Sequence, residues 1–209
     1  MPKKEVPIDH LQNYLPPGAP DAVTGYLHQY KVHLTITRQR KSILGDYRHP
    51  THHSHHRISV NGDLNPFSFL ITLLHELGHL LTFEQHGNRV PAHGTEWKKI
   101  YAELLKQFLQ HKTFPADIER ELLRSLKNPG AGPDTYRGSE DGLLRILRKY
   151  DATESHNRLV EEIPPGALFR ISDGRIFKRG EKLRKRFKCV EVKTGKVYLF
   201  SPVYEVQLV

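Results

Sequence analysis

His75, Glu76 and His79 stand in the run His75-Glu76-Leu77-Gly78-His79. On an α-helix, four residues turn through about 400° and climb about 6 Å, so the two imidazoles face one way. Both can then reach one Zn²⁺ at about 2.0–2.1 Å. Glu76 sits beside that face, where its carboxylate reaches a metal-bound water rather than the metal itself. That combination of groups is suited to hydrolysis. The chain holds 14 histidines, so the spacing alone is moderate evidence. Its setting strengthens it. Phe67, Phe69, Leu70, Ile71, Leu73, Leu74, Leu77, Leu80, Leu81 and Phe83 surround the motif on nearly all sides of the helix. A helix apolar all round is a core helix, and ionisable groups inside it need partners.

A catalytic zinc needs a third protein ligand and an open position. His86 lies on nearly the same stripe as His79 but about 10 Å along the axis, too far to share the ion. A histidine six residues after His79 would complete another zinc pattern, but that position is Gln85. His93, Glu96 and Glu103 are the downstream candidates. His93 is favoured, because a short turn before the next helix brings it back. Glu96 is more simply an acidic residue of a first helical turn, and Glu103 would suit a site with a carboxylate ligand on that helix.

The elements that must hold these groups follow from periodicity and caps. Asn65 reads as an N-cap, Pro66 as the first helical residue and Gly87 as the stop after His86. Three strands are expected before it, over 31–38, 42–48 and 57–60, and a short helix over 21–29. A second long helix is expected over 95–111, with Trp97, Ile100, Tyr101, Leu104, Leu105 and Phe108 on its apolar face, and a third over 116–126. Residues 128–142 are rich in Gly and Pro and read as a linker, followed by a short helix over 143–150. From residue 166 the pattern changes to strands, over 168–171, 175–177, 187–192, 196–200 and 204–209, with Asp173-Gly174 and Thr194-Gly195 as hairpin turns.

His75-Glu76-x-x-His79, followed by His93-Gly94-x-x-Trp97-Lys98 and preceded by Ile71-Thr72-Leu73-Leu74, resembles the SprT-like domain. This is the zincin module of bacterial SprT proteins and of the Spartan proteases. The resemblance covers roughly residues 20–110. It implies an α+β zincin-like fold, with helices packed on a small three-stranded sheet. It also implies one Zn²⁺ per chain held by His75, His79 and His93, with Glu76 as catalytic acid/base, that is, a zinc metalloprotease. The Spartan branch cleaves proteins crosslinked to DNA, so the implied partners are a protein substrate and DNA. Many members continue into a zinc ribbon with four cysteines. Cys189 is the only cysteine here, which excludes internal disulfides and Cys-rich zinc fingers. The expectation is a ribbon-like antiparallel β module without its cysteines, stabilised by apolar packing. The expected division is a zincin domain over 1–127, a linker with a short helix over 128–165 and a basic β module over 166–209.

Net charge is +9, and residues 166–209 hold 11 Lys and Arg against 4 Asp and Glu. A basic tail suits a polyanion, or else is a solvated surface. Arg184, Lys185, Arg186 and Lys188 are the candidate phosphate contacts; Phe177, Phe187 and Tyr198 are the candidate stacking residues, although each ring is more simply read as core of a small sheet. The alternative to a peptidase is a nucleic-acid-associated scaffold that uses the zinc site structurally. The His49–His56 tract holds His49, His52, His53, His55 and His56; it could bind metal, shape a cleft or be a solvated connection. Tyr47 and these histidines are candidate oxyanion donors between which the sequence does not choose. The start of the chain shows no apolar run, and the longest apolar stretch is interrupted by His75, Glu76 and His79. The expectation is therefore a cytoplasmic protein, nucleoid-associated where it engages DNA, with no membrane partner.

Overall fold

In the first half of the chain the order is α1 (Pro20–Gln29), β1 (His33–Thr37), β2 (Gly45–Arg48), β3 (Arg57–Asn61), α2 (Pro66–His86), α3 (Thr95–Gln110) and α4 (Ala116–Lys127). The computed structural model describes residues 8–40, 43–127, 141–152 and 157–209. The chain divides into two compact units, Met1–Ser139 and Glu140–Val209.

α2 organises the first unit. The Asn65 side chain accepts from the Ser68 N–H at 2.9 Å, which satisfies one of the donors that a helix start leaves unpaired. Pro66 follows as the first residue, where its missing N–H costs nothing. The helix ends as the Gly87 N–H donates to the Phe83 carbonyl. By length and composition α2 would also suit a membrane crossing, but much of it is buried inside the protein. Phe69, Leu70, Leu73, Leu74, Leu77 and Leu80 are fully enclosed.

α2 packs against β2, β3 and α3. The sheet runs in the order β1-β3-β2, with β1 parallel and β2 antiparallel to β3. Ile58 and Val60 of β3 are buried. Placing β3 centrally makes β2 an outer strand, and β2 is the strand that reaches the polar part of α2.

The second unit is built of α5 (Asp141–Arg148), β4 (Arg158–Leu159), β5 (Leu168–Arg170), β6 (Ile176–Lys182), β7 (Phe187–Glu191), β8 (Val197–Phe200) and β9 (Glu205–Leu208). The strands form an antiparallel sheet in the order β4-β9-β5-β6-β7-β8. Its core gathers Val160, Ile163, Phe169, Ile171, Phe177, Phe187, Cys189, Phe200 and Val206. The rings of Phe169, Phe177 and Phe200 meet with centroids 4.9–5.7 Å apart, an arrangement that adds to their burial.

The protein is thus mixed α and β, with a small sheet under helices and a separate antiparallel sheet. The boundaries differ from those expected. The described residues of 141–165, expected within a linker that holds a short helix, fall in the second unit: β4 pairs with β9, and Arg145 binds Glu161 bidentately at 2.5 and 2.8 Å. That pair holds the Glu161 carboxyl below its usual range. Periodicity marks a short helix here but does not say which core a segment joins; Val160 and Ile163 join that of the second unit. The Gly- and Pro-rich stretch 128–140 lies outside the described residues. Removing the α2 cap by Asn65→Ala is expected to cost about 1 kcal/mol. A lower urea midpoint with an unchanged slope is the expected reading.

Candidate metal centre

His75 and His79 leave α2 one turn apart, and His93 comes back to meet them from the segment between α2 and α3. The His75 Nε2 lies 3.2 Å from the His79 Nε2 and 3.1 Å from the His93 Nε2. One ligand atom from each lies within 4.8 Å of the others, and among the described residues this is the group of side chains able to hold a metal ion. Burial first, and then each other's proximity, push the ordinary imidazole pKa down, for His75 to about 3 and for His79 to about 4. Neutral rings carry one N–H each. A hydrogen bond can satisfy one close pair of nitrogens, but it leaves another lone pair facing the same point. A cation at that point accommodates all three.

His93 reaches the centre in a left-handed backbone conformation, φ +60°. A residue with a Cβ pays of order 1–2 kcal/mol for this. The expected turn between the helices therefore exists, and its strain falls on the third histidine itself. Glu96, Glu103 and His86 are not part of the three-histidine group.

Glu76 is 7% exposed. Burial, and secondarily the charge of Asp46, raise its carboxyl to about 8, against the pull of Arg40 and of a hydrogen bond from the Tyr47 backbone N–H. A cation held by the neighbouring histidines opposes that rise. β2 passes directly over this carboxylate. A Cβ added at Gly45 would stand 2.5 Å from the Glu76 Oε1 and 2.8 Å from the Thr72 Cγ2. Only glycine lets the strand approach so closely, a requirement the sequence did not reveal.

Trp97 closes the other side. Its ring is 4.7, 5.3 and 4.9 Å from those of His75, His79 and His93. It is 1% exposed, and its Nε1 is buried without a hydrogen-bond partner. Gly78 makes room for it: a Cβ there would lie 3.1 Å from that nitrogen. Gly45, Asp46, Tyr47, the three histidines, Glu76 and Trp97 all line one cleft of about 480 Å³.

Of the histidine tract, His52, His53 and His55 are exposed, and His49 stacks on Phe83 at 5.0 Å. His56 is buried. Its Nδ1 lies 3.0 Å from the Tyr47 hydroxyl and its Nε2 3.2 Å from the Glu84 carboxylate. Burial lowers the His56 pKa, while Glu84 works in the opposite direction. The Tyr47 hydroxyl is raised, by burial and then by the Glu84 charge. No sequence signal set His56 apart from its neighbours in the tract.

In the second unit, Arg184, Lys185 and Arg186 stand exposed between β6 and β7, and Lys188 is exposed on β7. Of the two readings of the aromatics, packing in the core of the small sheet is the one observed. Phe177 and Phe187 are buried in the core, so neither offers a free face to a base, and Tyr198 packs partly against that core with Arg175 over its ring at 5.3 Å.

Comparison of this chain with family models, with curated proteins and with solved structures finds no match.

Trp97 is the only tryptophan, so its emission reports on this centre alone. Titrating metal-free protein with Co²⁺ is expected to quench it and to saturate at one equivalent. His75→Ala is expected to abolish the response.

Proposed function

We propose that the chain is a zinc-dependent peptidase of the SprT-like type, with a zincin-like first unit. The reading is carried by the convergence of the His75, His79 and His93 Nε2 atoms beside the buried carboxylate of Glu76. Nitrogen ligands at about 2.0–2.1 Å on a tetrahedral ion stand about 3.3 Å apart, close to the 3.1 and 3.2 Å separations here. Three imidazoles, with no fourth donor in the group among the described residues, fit a Zn²⁺ that keeps one position open. When bound, zinc supplies a Lewis acid for the scissile carbonyl and lowers the pKa of water.

The remaining work falls to the chain's own groups. A Glu76 carboxylate oxygen takes the proton from the attacking water and returns it to the leaving amine. The Tyr47 N–H that bonds this carboxylate fixes its direction. Trp97 keeps water from the rear of the histidines. β2 is an outer strand whose Gly45–Tyr47 segment lines the cleft, so an extended peptide laid along it would pass the reacting groups.

The exposed basic residues Arg184, Lys185, Arg186 and Lys188 support proteins bound or crosslinked to DNA as the substrate class. The same observation supports the rival reading, a DNA-associated scaffold in which the metal is structural. The two separate on Glu76→Gln. In the peptidase this variant keeps one zinc per chain and loses cleavage of a DNA-bound protein by at least about 100-fold. Wild-type protein that binds DNA and cleaves no better than the variant would establish the scaffold. Replacing Arg184, Lys185 and Arg186 together by Ala is expected to weaken single-stranded DNA binding and to reduce the slope of log affinity against log salt by about 2.

A further inference from the structure

Three residues next to the metal centre form a chain of contacts that the hydrolytic roles above leave unused. Tyr47 comes from β2, His56 immediately precedes β3, and Glu84 lies near the end of α2. A carboxylate only accepts hydrogen bonds, so the contact of 3.2 Å between Glu84 and the His56 Nε2 places a hydrogen on that nitrogen. A singly protonated ring then has a bare Nδ1. That atom, 3.0 Å from the Tyr47 hydroxyl, accepts its O–H. Glu84 thereby fixes the His56 tautomer, and His56 fixes the Tyr47 ring. The ring lies parallel to that of His79 with centroids 6.5 Å apart, along the wall of the three-histidine cleft.

We propose that the Tyr47 hydroxyl is the donor to the peptide oxygen that gains negative charge during cleavage, with His56 and Glu84 as positioning residues; this rests on the peptidase reading. Among the described residues of the cleft wall, two other side-chain donors are held within the protein's own helices. The Thr82 hydroxyl donates to the Gly78 carbonyl at 2.7 Å, and the Trp97 Nε1 is buried. In the resting protein the Tyr47 O–H is held by a neutral acceptor. Rotation about its C–O bond exchanges that bond for one to a charged oxygen, which is roughly twice as strong. The exchange is favourable only once charge has developed, so the hydroxyl stabilises the transition state more than the bound substrate.

The test compares variants of the zinc-loaded full chain on the same kind of DNA-bound protein, with Glu76→Gln as the inactive reference. Tyr47→Phe is expected to lower kcat by about 100-fold with KM and zinc content unchanged. His56→Gln and Glu84→Ala are expected to lower kcat by smaller factors. The double variant Tyr47→Phe/His56→Gln should be no slower than Tyr47→Phe, because His56 acts through Tyr47; a purely structural His56 would add its own loss. Independently of activity, ring ¹⁵N shifts of metal-free protein should show His56 protonated at Nε2 and bare at Nδ1, and Glu84→Ala should mix the tautomers. Tyr47→Phe activity within twofold of wild type, additive losses, or a protonated Nδ1 each overturn the proposal while leaving the peptidase reading standing. Cleavage of the DNA-bound protein no faster than that by Glu76→Gln overturns both.

Discussion

Burying Glu76 against β2 is the constraint to which the first unit answers. A carboxylate removed from water is costly unless something nearby compensates it. Here the compensation is a backbone N–H from the strand and the place for a cation that the flanking histidines provide. The strand must come close to supply its N–H, and closeness requires Gly45. Once β2 lies over α2, Tyr47 is carried to the rim of the same cleft. The apolar enclosure of α2 then does two jobs. It drives folding of the unit, and it keeps the polar groups in a setting where electrostatic interactions are strong.

Much of this was legible because it is local. The cap at Asn65, Pro66 and the stop at Gly87 bounded α2 at the observed residues, and the one-turn spacing of His75 and His79 needs no tertiary information. The meeting of His93 with them required only a short connection between two helices that were themselves readable. The link between Tyr47, His56 and Glu84 was not legible, because it depends on strand order. With β3 between β1 and β2, the residue just before β3 comes level with the strand that crosses the metal-facing helix. Sequence proximity hid His56 among exposed histidines that share its type and not its environment. Gly45 was missed for a related reason, since a close approach between elements leaves no periodic mark.

The second unit illustrates an ambiguity of composition. Basic and aromatic residues interleaved along β6 and β7 admit two readings, a nucleic-acid surface or a strand with one wet face. Alternation resolves it: in β7, Phe187, Cys189 and Glu191 turn inward while Lys188 and Val190 turn outward. Aromatic rings make the core of this sheet, and the cationic side chains remain at the surface.

The left-handed backbone at His93 has a consequence for how an ion would come and go. Two donors sit on one rigid helix, at a spacing that thermal motion barely changes. The third sits on a connection that holds an unfavourable conformation. Part of the binding free energy would be spent keeping it there. Release would then begin with that arm relaxing, so the lifetime of the bound ion would be governed by a few residues before α3 rather than by the stability of the core.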